Sequence, residues 1–163
     1  VLMPFFADEI FHRGSQGLGF LTGAMGIGAV IGTLVLARRT KTSGLVGVIF
    51  LGALCFGASY LVLAWSPSFY LALAIMPVIG FSIMRHNASA NTLIQTLIPD
   101  EYRGRIMALY SMTVVGIGPF GSLATGALAG RFGVRATVMC GGLLCLLAAI
   151  LFRLRVRNLP ELK

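Results

Sequence analysis

The stretch from Asn87 to Gly121, NASANTLIQTLIPDEYRGRIMALYSMTVVGIGPFG, decides the fold of this chain. Its centre, residues 99–105, places four charged side chains close together, at Asp100, Glu101, Arg103 and Arg105. Long apolar runs flank this centre on both sides, which is typical of two membrane spans joined by a short water-facing loop. We therefore predict a loop here, and the polar residues that precede it are the best candidates for function.

The composition points to a membrane protein. Of the 163 residues, 57% are hydrophobic and 11% are charged, and the mean hydropathy is +0.90. Soluble domains carry about 25% charged residues, so this chain has too much apolar surface to hide from water. A net charge of +8 would suggest nucleic acid as the partner of a soluble protein. We reject nucleic acid, because the basic residues lie at the ends of apolar runs, and we predict a lipid bilayer instead.

Five apolar segments are close to or above the roughly 20 residues that a membrane helix needs. They are residues 17–37, 45–65, 69–97, 106–129 and 134–152, and residues 1–6 are the end of a further, partial span. The third full segment is longer than a bilayer requires, so we expect it to tilt or to bend at Pro77. The chain begins inside an apolar run, so we also expect it to be a fragment. The predicted fold is an all-α membrane protein.

Glycine patterns mark places where other helices are expected to approach closely. The first full span contains two pairs with small-xxx-small spacing, Gly19/Gly23 and Gly28/Gly32. The fourth full span repeats part of this pattern within residues 116–121, on a helix predicted to run in the opposite direction, as an inverted repeat would. Within that motif, Gly118 and Pro119 predict a bend in the helix.

The distribution of positive charge predicts the orientation in the membrane. One side of the predicted bundle carries Arg38, Arg39, Lys41, Arg103, Arg105, Arg153, Arg155, Arg157 and Lys163. The other side carries only Arg13, Arg131 and Arg135. Cytoplasmic loops are enriched in Lys and Arg, so we predict that the first side and the C-terminus are cytoplasmic.

Several strings of residues resemble a known family. They are Leu2-Met-Pro4, Gly17-Leu-Gly19, Asn91-Thr-Leu-Ile-Gln95, residues 99–105 and residues 126–133. Across essentially its whole length, the chain resembles the C-terminal half of a major facilitator superfamily transporter, from late in helix 7 to helix 12. Among the branches of that superfamily, it is most similar to the enterobactin-exporter-like efflux proteins.

The resemblance implies a function. It implies half of a twelve-helix bundle in the bacterial inner membrane that exports a small molecule, such as a siderophore or a drug, by proton-coupled alternating access. In this superfamily the substrate site lies between the two halves, so the missing N-terminal six helices are an expected partner. A non-transporting helix bundle or an inactive truncated remnant stays open as the alternative.

Two positions depart from the superfamily's loop pattern, Gly-x-Leu-x-Asp-Arg-x-Gly. Near the end of the fourth full span, Gly126, Leu128, Arg131 and Gly133 match, but Gly130 stands at the Asp position. After the first full span, Leu36 stands at the Asp position. An Asp–Arg latch is therefore not supported at either site.

The third full span carries a polar face. On a helical wheel, Asn87, Asn91 and Gln95 form one ridge at i, i+4 and i+8. A second polar face holds Ser82, Arg85, Ser89, Thr92 and Thr96, and an apolar arc holds Ile83, His86, Ala90, Leu93, Ile94 and Leu97. Polar groups in hydrocarbon should face protein or water, so the ridge either lines the transport path or forms hydrogen bonds that hold the bundle together. For Gln95, near the predicted cytoplasmic end, the structural role is favoured.

Arg85 is the only full charge well inside a span. It either anchors an anionic group of the substrate or acts as a gating partner, or it extends toward the cytoplasmic interface as long basic side chains do. His86 either relays protons or is a packed neutral histidine, and its apolar surroundings favour the second role.

The charged segments between spans are candidate gates. Ion pairs among Asp100, Glu101, Arg103 and Arg105 would break and re-form as the two halves rock, with Arg38 and Arg39 in the other basic loop. The alternative is a solvated loop, in which exposed ion pairs contribute little.

The sequence offers no chemistry for catalysis. It contains no Gly-x-x-x-x-Gly-Lys-Ser/Thr phosphate loop, no HExxH motif and no Ser/His/Asp set on one membrane face. Its three cysteines lie in apolar runs without metal-ligand spacing, so we predict inert thiols, no metal and no cofactor. We predict that the protein is not an enzyme.

Overall fold

The computed structural model describes residues 3–38 and 44–157, and these residues form helices and short connections without any strand. A short helix α1 (Met3–Phe5) and a π-helical turn (Phe6–Ile10) precede five long helices. The long helices are α2 (Gly14–Ala37), α3 (Leu45–Trp65), α4 (Phe69–Leu97), α5 (Asp100–Phe132) and α6 (Val134–Arg157). All five are long and apolar enough to cross a membrane, which confirms the predicted all-α membrane fold.

The charged centre of the deciding stretch is not a loop, and that prediction was wrong. Helix α5 begins at Asp100, so the connection from α4 consists only of Ile98 and Pro99. The amide of Tyr102 donates to the carbonyl of Pro99 at 3.0 Å and closes the first turn. Acidic residues in a first turn interact favourably with the helix dipole, so Asp100 and Glu101 support a helix here although they do not suit hydrocarbon.

Helix α5 also extends beyond the predicted apolar segment, 106–129, at its C-terminal end. The helix continues through Arg131 to Phe132, and only Gly133 turns the chain, with φ at +84° and ψ at 158°. A side chain would be strained in this conformation, so glycine is suited to a one-residue connection. Helix α5 also continues through Gly118 and Pro119, although Pro119 has no amide hydrogen to donate to the preceding turn.

The helices pack in a spatial order that differs from their order in the chain. Helix α2 packs against α4, α4 against α3, α3 against α6, and α6 against α5. Helix α5 makes its main contacts with α6 and has no buried residue among its 33. Helix α4 therefore lies between α2 and α3.

Two glycine contacts bring the helices into close approach. A methyl group on Gly28 of α2 would overlap the carbonyl oxygen of Pro77, and one on Gly80 of α4 would overlap the carbonyl oxygen of Met25. A methyl on Gly32 would lie 2.8 Å from the carbonyl oxygen of Phe81. The expected close approach at Gly28/Gly32 is therefore confirmed, and it occurs where Pro77 and Gly80 expose the backbone of α4.

The second close contact joins α3 to α6. A Cβ on Gly57 would lie 3.1 Å from the carbonyl oxygen of Gly142, and a Cβ on Gly142 would lie 3.1 Å from that of Gly57. By contrast, Gly19 and Gly23 have no neighbouring atom within 4 Å, so the close approach expected there does not occur among the described residues. Spacing alone does not decide whether a glycine pair meets another helix.

The buried core lies toward the end of the bundle where α4 begins. Leu21, Ala72 and Met76 are fully buried there, between α2 and α4. The guanidinium of Arg13 lies over the ring of Phe69, 5.0 Å from its centroid. This cation–π contact joins the residue before α2 to the first residue of α4.

Candidate functional site

Helix α4 positions the polar residues that the sequence singles out. Its 29 residues run without interruption from Phe69 to Leu97, and Pro77 lies inside the helix. Pro77 cannot donate a hydrogen bond to the preceding turn, and its own carbonyl lies against Gly28 of α2. The first half of α4 is thus fixed against α2, and the second half carries the candidate site.

The asparagine ridge lies on an accessible face of α4. Asn87 and Gln95 are exposed, and Asn91 is half-buried. The side-chain amide of Gln95 donates to Oδ1 of Asn91 at 2.8 Å, one helical turn away. Asn87 has no hydrogen-bond partner among the residues that the structure describes. Among the described residues, the ridge therefore forms no hydrogen bond to a neighbouring helix.

The face that carries Arg85 contains two polar atoms without partners. Ser89 is completely buried and its Oγ has no hydrogen-bond partner among the described residues, and the same holds for the buried Nε of Arg85. The guanidinium of Arg85 lies over the ring of Phe81, 5.3 Å from the centroid. Buried polar groups are normally hydrogen-bonded, so these two atoms, one helical turn apart, are exceptions within the described part of the chain.

The apolar arc of α4 lines a cavity of about 530 Å³ between α3, α4 and α6, which we name the crevice. Helix α4 contributes the following residues to it: Ile83, His86, Ala90, Leu93 and Ile94. His86 shares this face, as the wheel predicts, and its Nδ1 lies 3.1 Å from the carbonyl oxygen of Ile49 on α3. Because a carbonyl oxygen only accepts, this hydrogen bond requires the proton on Nδ1.

The candidate gating residues lie at helix ends. Arg38 caps α2 and is exposed, and Arg39 lies outside the described residues. On the first turn of α5, Arg103 forms an ion pair with Asp100 at 2.5 Å, and both side chains are largely exposed. Glu101 and Arg105 are also exposed, and the structure brings no described residue of another helix into an ion pair with this group.

The sequence analysis placed Ser89 on a polar face but assigned it no role, and it did not predict the two contacts to α3 carbonyls. The Sγ of Cys145 donates to the carbonyl of Ala53 at 3.6 Å, as His86 does to Ile49. A signal for Ser89 existed in its spacing, since Ser82 and Ser89 are seven residues apart on one face and both are buried. In the described part of the chain, no group of three or more His, Cys, Asp or Glu could hold a metal ion.

Comparison with known proteins agrees with the fold. The MFS_3 family model, described as transmembrane secretion effector, matches residues 1–163. An uncharacterized MFS-type transporter of Bacillus subtilis, YfmI, is 30% identical over 147 residues, which cover 89% of this chain and 36% of the relative. The multidrug efflux pump Tap of Mycolicibacterium fortuitum is 27% identical over 162 residues, which cover 98% of this chain and 39% of the pump.

A third relative is named for the transport of a specific compound. The staphyloferrin A transporter of Staphylococcus aureus is 25% identical over 151 residues, which cover 93% of this chain and 38% of the transporter. The chain thus spans less than two fifths of the length of these relatives. No solved structure gave a significant match. The family model covers the chain from end to end, and the chain therefore belongs to the transmembrane secretion effector family of major facilitator superfamily transporters.

Proposed function

We propose that this chain forms the C-terminal half of a secondary transporter that exports a small molecule by alternating access. The observation that carries the proposal is the polar surface of α4, where Asn87, Asn91 and Gln95 lie accessible on a helix predicted to cross a membrane. Such groups are costly in lipid, so they should face a water-filled path or the other half of the transporter. The name of one relative, a multidrug efflux pump, supports export as the direction.

Arg85 and Ser89 would form an anion-binding element beside this path. The guanidinium supplies positive charge, and the unsatisfied Oγ of Ser89 and Nε of Arg85 supply free hydrogen-bonding capacity. A carboxylate complements both groups in charge and hydrogen bonding, whether it belongs to an anionic substrate such as a siderophore or to the N-terminal half. Charge-assisted hydrogen bonds to arginine are short and strong, so this element would hold its partner more firmly than the asparagine ridge.

The proposed energy source is a proton gradient, and this part of the proposal comes from the family resemblance. The described carboxylates at the basic end of the bundle, Asp100 and Glu101, lie on the first turn of α5 rather than at the centre of a span. The proton-binding acid would then lie in the N-terminal half. The charged first turn of α5 would act as a gate at the cytoplasmic end, where Arg38 ends α2.

The proposed orientation places this basic end in the cytoplasm. The proposal rests on the asymmetry of Lys and Arg between the two ends. Single cysteines at Gln16 and Thr42, in a chain whose three native cysteines are replaced, test it with a membrane-impermeant thiol reagent. In intact cells Gln16→Cys should react and Thr42→Cys should react only after lysis, and the reverse pattern would refute the orientation.

The transport proposal is tested by expressing the chain with and without an N-terminal half from a relative. We expect efflux of dyes or siderophores only when both halves are present, because one half has no partner to rock against. Arg85→Gln should lower efflux most, and Asn87→Ala and Asn91→Ala should change its rate or substrate preference. Asn91→Ala loses the hydrogen bond from Gln95, and such bonds contribute only about 0.6–1.7 kcal/mol in a membrane. Asn87→Ala removes no bond to a described residue, so expression of both variants should survive.

The matched control is Leu97→Ala, an exposed apolar residue on the same helix that lies outside the ridge and does not line the crevice. Transport is compared per folded molecule. If Leu97→Ala loses as much efflux as the Asn and Arg variants, the face assigned to the path is wrong. If the paired halves fold and assemble but move no dye or siderophore, the non-transporting bundle is the better description.

A further inference from the structure

We propose that the crevice binds an anionic phospholipid, with one acyl chain between α4 and α6 and the phosphate at Arg153. The crevice is lined by the apolar arc of α4 and not by the asparagine ridge, so the proposal stands whether or not the chain exports a solute. It rests on the shape of the crevice, on the state of its polar groups and on the charge at one of its ends.

The dimensions of the crevice fit a single acyl chain. Its volume of about 530 Å³ falls in the range of roughly 300–1,000 Å³ found for small-molecule sites. Its lining on α4 extends from Ile83 to Ile94, which corresponds to about 16 Å along the helix axis. The hydrocarbon core of a bilayer is about 30 Å thick, so the crevice spans close to one leaflet.

The crevice is open to the side and has a floor. Helix α3 forms the floor, because it packs against both α4 and α6, which form the two walls. The side chains of Ile83, Ala148 and Phe152 line the crevice and are exposed. A lipid chain can therefore enter from the side, as it would from the bilayer.

The polar groups of the walls are already engaged. Nδ1 of His86 donates to the carbonyl of Ile49, and Sγ of Cys145 donates to the carbonyl of Ala53. The surface that remains is formed by alanine, leucine, isoleucine and phenylalanine side chains. A ligand with several hydrogen-bonding groups would lose bonds to water on entry, whereas a hydrocarbon chain loses none.

The end of the crevice near Phe152 carries a positive charge. Arg153 follows Phe152 directly, and its guanidinium lies 5.6 Å from the ring centroid of Phe50, which is adjacent to the lining residue Ile49. The described side chains at this end of the bundle include five arginines, at positions 38, 103, 105, 153 and 155, but only two carboxylates, at 100 and 101. Of those two, Asp100 is already paired with Arg103.

An anionic phospholipid satisfies both parts of this surface at once. Basic pockets between membrane helices on the cytoplasmic side are suited to anionic headgroups, since each Lys or Arg near the surface contributes to attraction. A helix from a second copy of the chain would also fill the crevice, whereas a phospholipid brings an acyl chain for the crevice and an anion for Arg153 in one molecule. The apolar crevice and the adjacent cation together therefore favour a phospholipid with a negative headgroup.

The test uses photoactivatable lipids. The purified chain is placed in phosphatidylcholine nanodiscs that contain a small fraction of phosphatidylglycerol with a diazirine on one acyl chain. Matched samples contain phosphatidylcholine with the same modified chain. After illumination, mass spectrometry locates the cross-linked residues. We expect phosphatidylglycerol to label crevice residues such as Ala90 and Ala148 about fivefold more than phosphatidylcholine does, which is the effect of roughly one arginine.

Two pairs of variants make the test specific. Arg153→Gln should remove the preference for phosphatidylglycerol, whereas Arg155→Gln, on the same exposed helix end, should keep it. Ala148→Leu should reduce labelling of the crevice severalfold by filling it, whereas Ala124→Leu, on an exposed face of α5, should not.

Three results would overturn the proposal. The first is labelling spread evenly over the exposed apolar residues of α2 and α5. The second is equal loss of preference in Arg153→Gln and Arg155→Gln, which would indicate general surface charge. The third is the absence of lipid labelling in the crevice together with cross-links there between two copies of the chain.

Discussion

The contact between α2 and α4 gives the sharpest prediction about stability, because glycine allows two backbones to touch there. In Gly28→Ala the new methyl group would overlap the carbonyl oxygen of Pro77. A backbone carbonyl cannot move aside as the end of a flexible side chain can, so the two helices must separate. The crossing also supports the half of α4 that leads into the candidate site.

The magnitude follows from two opposing effects. Overpacking a well-packed contact costs about 1–3 kcal/mol, and a rigid backbone neighbour places this case near the upper value. Replacing glycine by alanine inside a helix stabilises the helix by up to about 1 kcal/mol. We therefore expect a net loss of about 2 kcal/mol, or a fall of about 4–8 °C in the unfolding midpoint for a chain of this size.

The assay is the temperature at which half of the purified chain loses its monodisperse peak in size-exclusion chromatography, in one detergent. Gly23→Ala is the matched control, since it lies on the same helix and has no neighbouring atom within 4 Å. It should be neutral or slightly stabilising. Equal midpoints for Gly28→Ala and Gly23→Ala would refute the close contact.

A double variant tests whether the effect arises at one crossing. In Gly80→Ala the methyl would overlap the carbonyl oxygen of Met25, on the same α2–α4 contact. Once one methyl has separated the helices, the second meets less resistance, so the combined loss should fall short of the sum by at least about 0.5 kcal/mol. Strict additivity would mean that the two glycines act at independent places.

Three further outcomes are expected in the same assay. Gly133→Ala should lower the free energy of unfolding by about 1–3 kcal/mol, because φ is +84° there. Gly130→Ala, which has no neighbouring atom within 4 Å, should be neutral, and equal effects of the two variants would contradict a strained turn. Asp100→Asn should cost less than about 1 kcal/mol, with a smaller loss in high salt, since its ion pair is exposed. His86→Phe should lower the free energy of unfolding by at most about 1.7 kcal/mol, the upper value for an interhelical hydrogen bond in a membrane. A larger loss would indicate that His86 has a further partner.

The number of spans and several of their bounds could be predicted from the sequence. The predicted segments 45–65 and 69–97 coincide with α3 and α4, because both ends of each run are marked by turn residues or by a change to polar composition. The bounds of α5 could not be predicted in this way. Hydropathy reports which residues suit the membrane, whereas a helix continues for as long as backbone hydrogen bonds and favourable end charges support it.

The faces of α4 could also be predicted, but the state of their polar groups could not. The wheel separates the asparagine ridge from the arc that lines the crevice, since helical periodicity alone fixes which residues share a face. The isolation of Ser89 from any described partner depends on what α2 and α3 present to it, and one helix's sequence does not contain that information. The functional roles of Arg85, Asn87 and Asn91 remain predictions.

The glycine motifs of α2 and α5 show why similar sequences can pack differently. Gly28 in α2 meets the backbone of α4, whereas Gly118 and Gly121 in the related motif of α5 have no neighbouring atom within 4 Å. The motif therefore permits close approach without causing it. The surface of α4 completes the contact with α2. There, Gly80 has no side chain to keep the helices apart, and the carbonyl of Pro77 faces Gly28. Helix packing in this chain is thus a property of pairs of helices, and a glycine pattern indicates only that one member of the pair is able to take part.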